Sequence, residues 1–266
     1  MIATPRSPWL RAHAVLVYGF LYLPVAVLVT FSFSASSYAA VWGGFTLDWY
    51  ARLAGNERLL EVLGNSLAVA VVAMVLAAVF GTAAALALER ARLRARGALE
   101  SVLYAPIVMP ELVQGIGLLM LFVLILPLPL GLSTIAIAHT VFGIAYVAIV
   151  VRARLHGLDP HLEEAARDLG AGPWRTFWRV TLPLIWPGVL GGALLAFTLS
   201  FDDFVIAFFV TGPGATTLPI EIYSMVKRGV TPEINALATV ILVVSVLLIA
   251  LSLRLQGPVA TVREGK

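Results

Sequence analysis

The sequence predicts an all-α integral membrane protein with six transmembrane helices. Three observations lead there. Hydrophobic residues make up 60% of the chain and charged residues only 12%, whereas a soluble domain carries about 25% charged residues. The charges fall between long apolar runs instead of being spread evenly. Most of those runs approach twenty residues, the length a helix needs to cross the hydrocarbon core. Composition also excludes several functions. Cysteine is absent, which removes disulfide and thiol chemistry. His13, His139, His156 and His161 show no metal-ligand spacing. There is no Gly-rich phosphate loop, so the chain is not itself an ordinary ATPase. No basic run with interleaved aromatics points to nucleic acid.

Taken in order, the chain opens with a polar stretch, Met1 to Arg11, and a first span over 14–33. Small residues Ser34-Ala35-Ser36 follow it, as after a signal peptide, but the run is too long for a signal core and reads as an uncleaved span. A polar loop from Phe31 to Gly64 carries Trp42, Trp49 and Tyr50, side chains suited to the membrane–water interface. Thr46 is placed to cap a short helix there. The second span is 64–88, followed by a basic cluster from Arg90 to Arg96. The third, 101–126, is interrupted by Pro106 and by Pro110-Glu111. Pro127, Pro129 and Gly131 separate it from the fourth, 133–151. A charged loop, 152–187, precedes the fifth span, 188–210, and the sixth is 234–253. With no repeat and no linker visible, 1–266 reads as a single transmembrane domain.

The charged loop carries its own folding signals. Asp159 suits a helix cap and Pro160 the first helical position. Glu163 and Glu164 lie in the first turn, where the helix dipole favours them. Leu162, Ala165, Ala166 and Leu169 share one face by helical spacing. Gly170 suits the left-handed residue that ends a helix. A second short helix is expected from Pro173 toward Thr181, broken by Pro183. The product is a helix–turn–helix knob with a small, flat apolar face, suited to docking in a groove.

Positive charge orients the chain. With the N-terminus inside, the inner segments hold two, four, five and three Lys or Arg, fourteen in all, against four in the outer loops. Both termini and the knob are then cytoplasmic. Three acids remain at membrane depth. Glu111 follows two prolines in the third span; it reads either as an intramembrane acid or as an interfacial one held by the Arg90–Arg96 cluster. Asp202 lies fourteen residues past Gly188, about 21 Å along a helix and so in the outer half of the bilayer. Asp202 and Asp203, flanked by Phe201 and Phe204, suit a cationic cargo with methylenes for the rings to cover. The other reading of Asp203 is a cap at a kink.

One pattern resembles a known family. Glu164-Ala165-Ala166, then Gly170, then Val180, Leu182 and Pro183 is similar to the EAA loop of bacterial ABC-importer permeases, with Val180 for the usual Ile. Ser200 to Phe204, Val210 to Pro213, Ile222 to Lys227, Gly229 to Thr239, Leu47 to Tyr50 and Met109 to Glu111 resemble the spermidine/putrescine subgroup. Permeases for opines, phosphonates or ferric iron share parts of these. The resemblance implies a type I importer (MetI-like) fold in the bacterial inner membrane. It implies four kinds of partner: a second homologous permease, two cytoplasmic ATP-binding-cassette ATPase subunits, a periplasmic substrate-binding protein and membrane lipid. ATP and Mg2+ belong to the ATPase, and this chain binds no cofactor and catalyses nothing. Coupling falls to Glu164, Ala165, Ala166, Gly170, Leu182 and Pro183. Two alternatives are weighed beside it: a secondary transporter, with no inverted repeat to support it, and an intramembrane protease using Asp202 or Asp203, which adjacent residues diverging by about 100° argue against.

Overall fold

The computed structural model describes residues 8–38, 41–90, 95–159, 161–229 and 231–255. The sequence features at Arg6, Arg92, Arg94 and Pro160, and the tail from Gln256 to Lys266, lie outside the described residues. In chain order the helices are α1 (Pro8–Phe31), α2 (Asp48–Ala54), α3 (Glu57–Arg90), α4 (Arg96–Val108), α5 (Glu111–Met120), α6 (Leu132–His156), α7 (His161–Asp168), α8 (Pro173–Thr176), α9 (Leu182–Asp202), α10 (Val205–Val210), α11 (Leu218–Arg228) and α12 (Pro232–Leu255). Single π-helical turns follow α5, at Leu121–Ile125, and join α8 to α9, at Phe177–Thr181. Among the described residues, α1, α3, α6 and the continuous helix from α8 through α9 are long and apolar enough to cross a membrane; α4 with α5 makes a fifth if the bent pair is one span.

Contacts divide the chain into two compact units, Met1–Glu57 with Ile222–Lys266, and Arg58–Glu221. In the first, α1 and α2 both pack on α12. No residue of α1 is buried, and it is apolar nearly all round, as a lipid-facing or partner-facing helix must be. The loop after it is tied to α2: Ser32 Oγ lies 2.7 Å from Tyr50 Oη, and Trp49 Nε1 donates to the Ser34 carbonyl at 2.7 Å. The Thr46 hydroxyl accepts the Asp48 amide at 3.1 Å, but the N-cap of α2 is Leu47, which has no side-chain cap, so Thr46 shapes the turn before the helix and does not cap it.

The second unit is built around α6. Ile135, Ala145, Val147, Ala148 and Val151 are fully buried on it. It meets α3 and α9 through small residues. Ala73, Ala77, Gly81 and Ala85 of α3 recur every fourth position and are all buried, as are Gly188, Gly192 and Ala196 of α9. This spacing lets backbones approach closely where no hydrophobic effect drives association. A β-carbon on Gly81 would sit 2.7 Å from Val147 Cβ, and one on Gly143 would sit 2.9 Å from Ala77 Cβ. At one end Arg152 ties three helices, binding Glu89 at 2.7 Å, Glu100 at 2.9 Å and Tyr104 Oη at 2.7 Å. Gly81→Leu is therefore expected to cost about 1–3 kcal/mol or more by overpacking. Gly64→Leu, on the same helix with open space at its β-carbon, should cost nothing measurable. Yield and thermal midpoint of the purified protein check this: equal values for the two variants would contradict the packing.

Four expectations are corrected. The third span is interrupted at Pro110-Glu111, as expected, with a bend of 111° between α4 and α5, but not at Pro106, which lies inside α4. Pro110 lacks an N–H and forces Met109 into the extended region, φ −73° and ψ 137°. Gln114 Nε2 donates to the Pro106 carbonyl at 2.8 Å and to that of Met109 at 2.9 Å, replacing bonds lost at the bend. Pro183 does not break the second knob helix. The π turn lets the Leu182 N–H reach the Phe177 carbonyl, so Pro183 sits in the first turn of α9, where its missing N–H is tolerated. The fifth span breaks instead at Asp203-Phe204, where Asp203 is extended with φ −69° and ψ 125°. The polar loop also ends early, because α3 begins at Glu57.

Candidate functional site

Two sites stand in the second unit, the knob and a cavity. The Asp159 carboxylate accepts the His161 amide at 3.0 Å, as a cap to α7. Gly170 is left-handed, φ +81°. Its N–H bonds the Arg167 carbonyl at 2.8 Å and the Ala171 N–H bonds that of Ala166 at 3.0 Å, the paired closure of a Schellman helix end. Leu162, Ala165 and Leu169 lie exposed on one face, Leu169 at 90%. Ala166 is half-buried. Glu164 is exposed, 3.1 Å from His161 Nδ1. Leu182 packs against the core around Val147 and Ile185, while Pro183 is exposed.

Glu163 behaves differently from its neighbour. It pairs with Arg90 at the end of α3, and its carboxylate accepts the Thr181 hydroxyl at 2.7 Å. Arg90 Nη2 also lies 3.2 Å from Thr181 Oγ1. The knob is thus pinned to α3 and to the π turn that leads into α9. Glu163→Gln is expected to speed amide exchange across 161–171 several-fold without unfolding the bundle, since a half-exposed pair holds about 1 kcal/mol or less. Unchanged exchange would show the pair to be dispensable.

The cavity holds about 530 Å3 and lies among α4, α5, α6, α9 and α10. Glu111, Gln114, Tyr146, Thr198 and Asp202 supply polar lining, and Phe142 and Phe204 supply rings. Of the residues singled out from the sequence, Glu111, Asp202, Asp203 and Phe204 meet here; Phe201 does not, and stacks on Phe197 at 6.0 Å. Glu111 and Asp202 are exposed, and among the described residues neither carboxylate has a hydrogen bond or ion pair. Glu111 is not held by the described members of the basic cluster: Arg90 pairs with Glu163, and Arg96 with Glu89 and Glu100.

Asp203 is at the wall, but its oxygens are taken. Its side chain is 8% exposed. It accepts the Ala207 amide at 2.8 Å and the Ile206 amide at 3.4 Å, and lies 3.1 Å from His139 Nε2. It caps α10 at the helix break. No hydrogen bond joins Asp202 to Asp203 among the described residues, so these two adjacent acids do not form a proton-sharing pair. His139 escaped the sequence reading, which asked only for ligand spacing. A lone histidine inside the apolar run 133–151 was the available signal.

The chain belongs to the family of binding-protein-dependent transport system inner membrane components, whose model matches residues 77–259. Its relatives include a putrescine transport system permease protein, PotI, from Escherichia coli strain K12, 47% identical over 243 residues, 89% of this chain and 86% of that one. A spermidine/putrescine transport system permease protein, PotC, from Haemophilus influenzae is 40% identical over 242 residues, 91% of this chain and 94% of that one. Among solved structures, a bacterial ABC transporter for import of the acidic polysaccharide alginate matches with a TM-score of 0.70 at 18% identity, over 96% of this chain and 99% of that one. The MetNI methionine ABC transporter matches at 0.58 and 19% identity, over 78% and 95%. The fold is that of a MetI-like ABC-transporter permease.

Proposed function

We propose that this chain is the permease subunit of an ATP-driven importer of polyamines, diamines and triamines such as putrescine and spermidine. The observation that carries the reading is the pair of unpartnered carboxylates, Glu111 and Asp202, in one cavity beside Phe142 and Phe204. Carboxylates attract the ammonium ends, and rings cover the methylenes and add cation–π attraction. The putrescine and spermidine/putrescine names of its relatives support the same cargo.

The complete machine contains a second homologous permease, two cytoplasmic ATPase subunits holding ATP and Mg2+, and a periplasmic binding protein. The ATPase docks on the Leu162, Ala165 and Leu169 face beside Glu164, and Gly170, Leu182 and Pro183 set the angle at which that face leaves α9. The excess of inner positive charges, fourteen against four, favours a cytoplasmic knob and cytoplasmic termini in a six-span chain of the bacterial inner membrane. The test is stimulation of the assembled complex's ATPase by binding protein loaded with amines, opines, phosphonates or ferric iron. Amines are expected to stimulate; stimulation by another cargo alone would reassign the substrate.

A further inference from the structure

We propose that His139 is a positioning residue for cargo recognition: it clamps the break between α9 and α10 and so fixes where Asp202 stands in the cavity. His139 is 1% exposed on α6. Its Nδ1 lies 2.7 Å from Ser200 Oγ, in the last turn of α9, and its Nε2 lies 3.1 Å from Asp203 Oδ2, the first residue beyond that helix. One imidazole therefore spans both sides of the chain's turn. Asp203 accepts backbone amides at its two oxygens, so His139 meets it as a donor. With its Nε2 proton directed at Asp203, the ring meets the Ser200 hydroxyl through Nδ1, and every member has a partner.

The clamp has a counterpart. Thr134 Oγ1, also on α6, lies 2.8 Å from the Val210 carbonyl and shares its one proton between it and the Gly131 carbonyl, also at 2.8 Å. The two ends of α10 are thus fastened to one buried helix. Phe204, Val205 and Ile206, between those points, form a wall of the cavity. His139 also packs against Phe142, another cavity ring, at 5.3 Å. Releasing His139 frees the extended residue Asp203 from α6 and lets the wall and the adjacent Asp202 shift. Arg90, Glu163 and Thr181, which hold the knob, share no hydrogen bond with this cluster among the described residues. The effect falls on cargo affinity and leaves coupling intact.

The inference rests on amines passing this cavity, and the test separates the two. The complete transporter is reconstituted with His139→Leu, His139→Gln, Ser200→Ala or Asp202→Asn, and KM and kcat for ATP-driven putrescine uptake are measured with basal ATPase activity. His139→Leu is expected to raise KM about tenfold with kcat and ATPase activity within about twofold of the parent, and His139→Gln, which keeps a donor toward Asp203, to recover most of the loss. Ser200→Ala, the milder variant if His139→Leu fails to assemble, is expected to raise KM about threefold at unchanged kcat. A parent-like KM in Ser200→Ala and His139→Leu overturns the inference. So does a raised KM accompanied by a comparable fall in kcat that His139→Gln does not relieve, since that is lost packing. If Asp202→Asn alone raises KM, only the clamp is wrong; if Asp202→Asn also has the parent KM, the cavity reading falls and the clamp with it.

Discussion

Gly170→Leu is expected to abolish ATP-driven uptake while the chain still inserts. Gly170 holds φ +81° with nothing within 4 Å of where a β-carbon would be. The cost of a side chain there is conformational, about 1–2 kcal/mol for a residue held left-handed. A turn that relaxes to a right-handed angle loses the bonds from Gly170 to Arg167 and from Ala171 to Ala166, and α7 leaves the turn in a new direction. Leu162, Ala165 and Leu169 then no longer present a flat face to the ATPase. On the proposed docking, Glu164→Ala keeps the turn but strands whatever cation of the ATPase pairs with Glu164, and losing one partner of such an interface pair costs about 2–5 kcal/mol. Gly172→Ala is the control, since Gly172 has φ −68° and open space. Co-purification of the ATPase together with uptake reads the result. Normal values for both in Gly170→Leu would remove the knob from the coupling mechanism.

Asp202→Asn and Glu111→Gln are each expected to raise KM for putrescine about tenfold, equivalent to about 1.4 kcal/mol of binding per ion pair. Both substitutions keep shape and remove charge. Because neither carboxylate is used by the described residues, neither change leaves a partner stranded, and basal ATPase activity should stay at the parent level. Asp203→Asn should behave otherwise. It weakens the cap on α10 and the bond to His139, so its signature is a lower thermal midpoint. Uptake by the Asp202→Asn, Glu111→Gln double variant with an unchanged KM would show that the cavity carboxylates do not meet the cargo.

Much of this was legible because it is local. The Asp159 cap, the left-handed Gly170 and the small apolar face of α7 follow from residues within two turns of one another. Glu111 and Asp202 announced themselves as charges inside apolar runs. What stayed hidden depends on rotation about helix axes and on distant partners. Glu163 and Glu164 look alike in sequence, yet one faces Arg90 and Thr181 and the other solvent. Asp202 and Asp203 differ in the same way: the helix ends between them and His139, 64 residues away, takes the second. Pro183 was a sound signal for a break, defeated by one π turn that spent a hydrogen-bond register to keep the helix continuous. The 111° bend follows from Pro110 in kind but not in angle.

The most direct measurement is uptake of labelled putrescine into proteoliposomes containing the complete transporter and its binding protein, with ATP available only to the knob side. Uptake should require that ATP, saturate, be competed by spermidine, and fall at low putrescine concentration when Asp202 and Glu111 lose their charges. Uptake that proceeds without ATP, or a transporter that ignores amines and moves a different cargo, would contradict an ATP-driven polyamine permease.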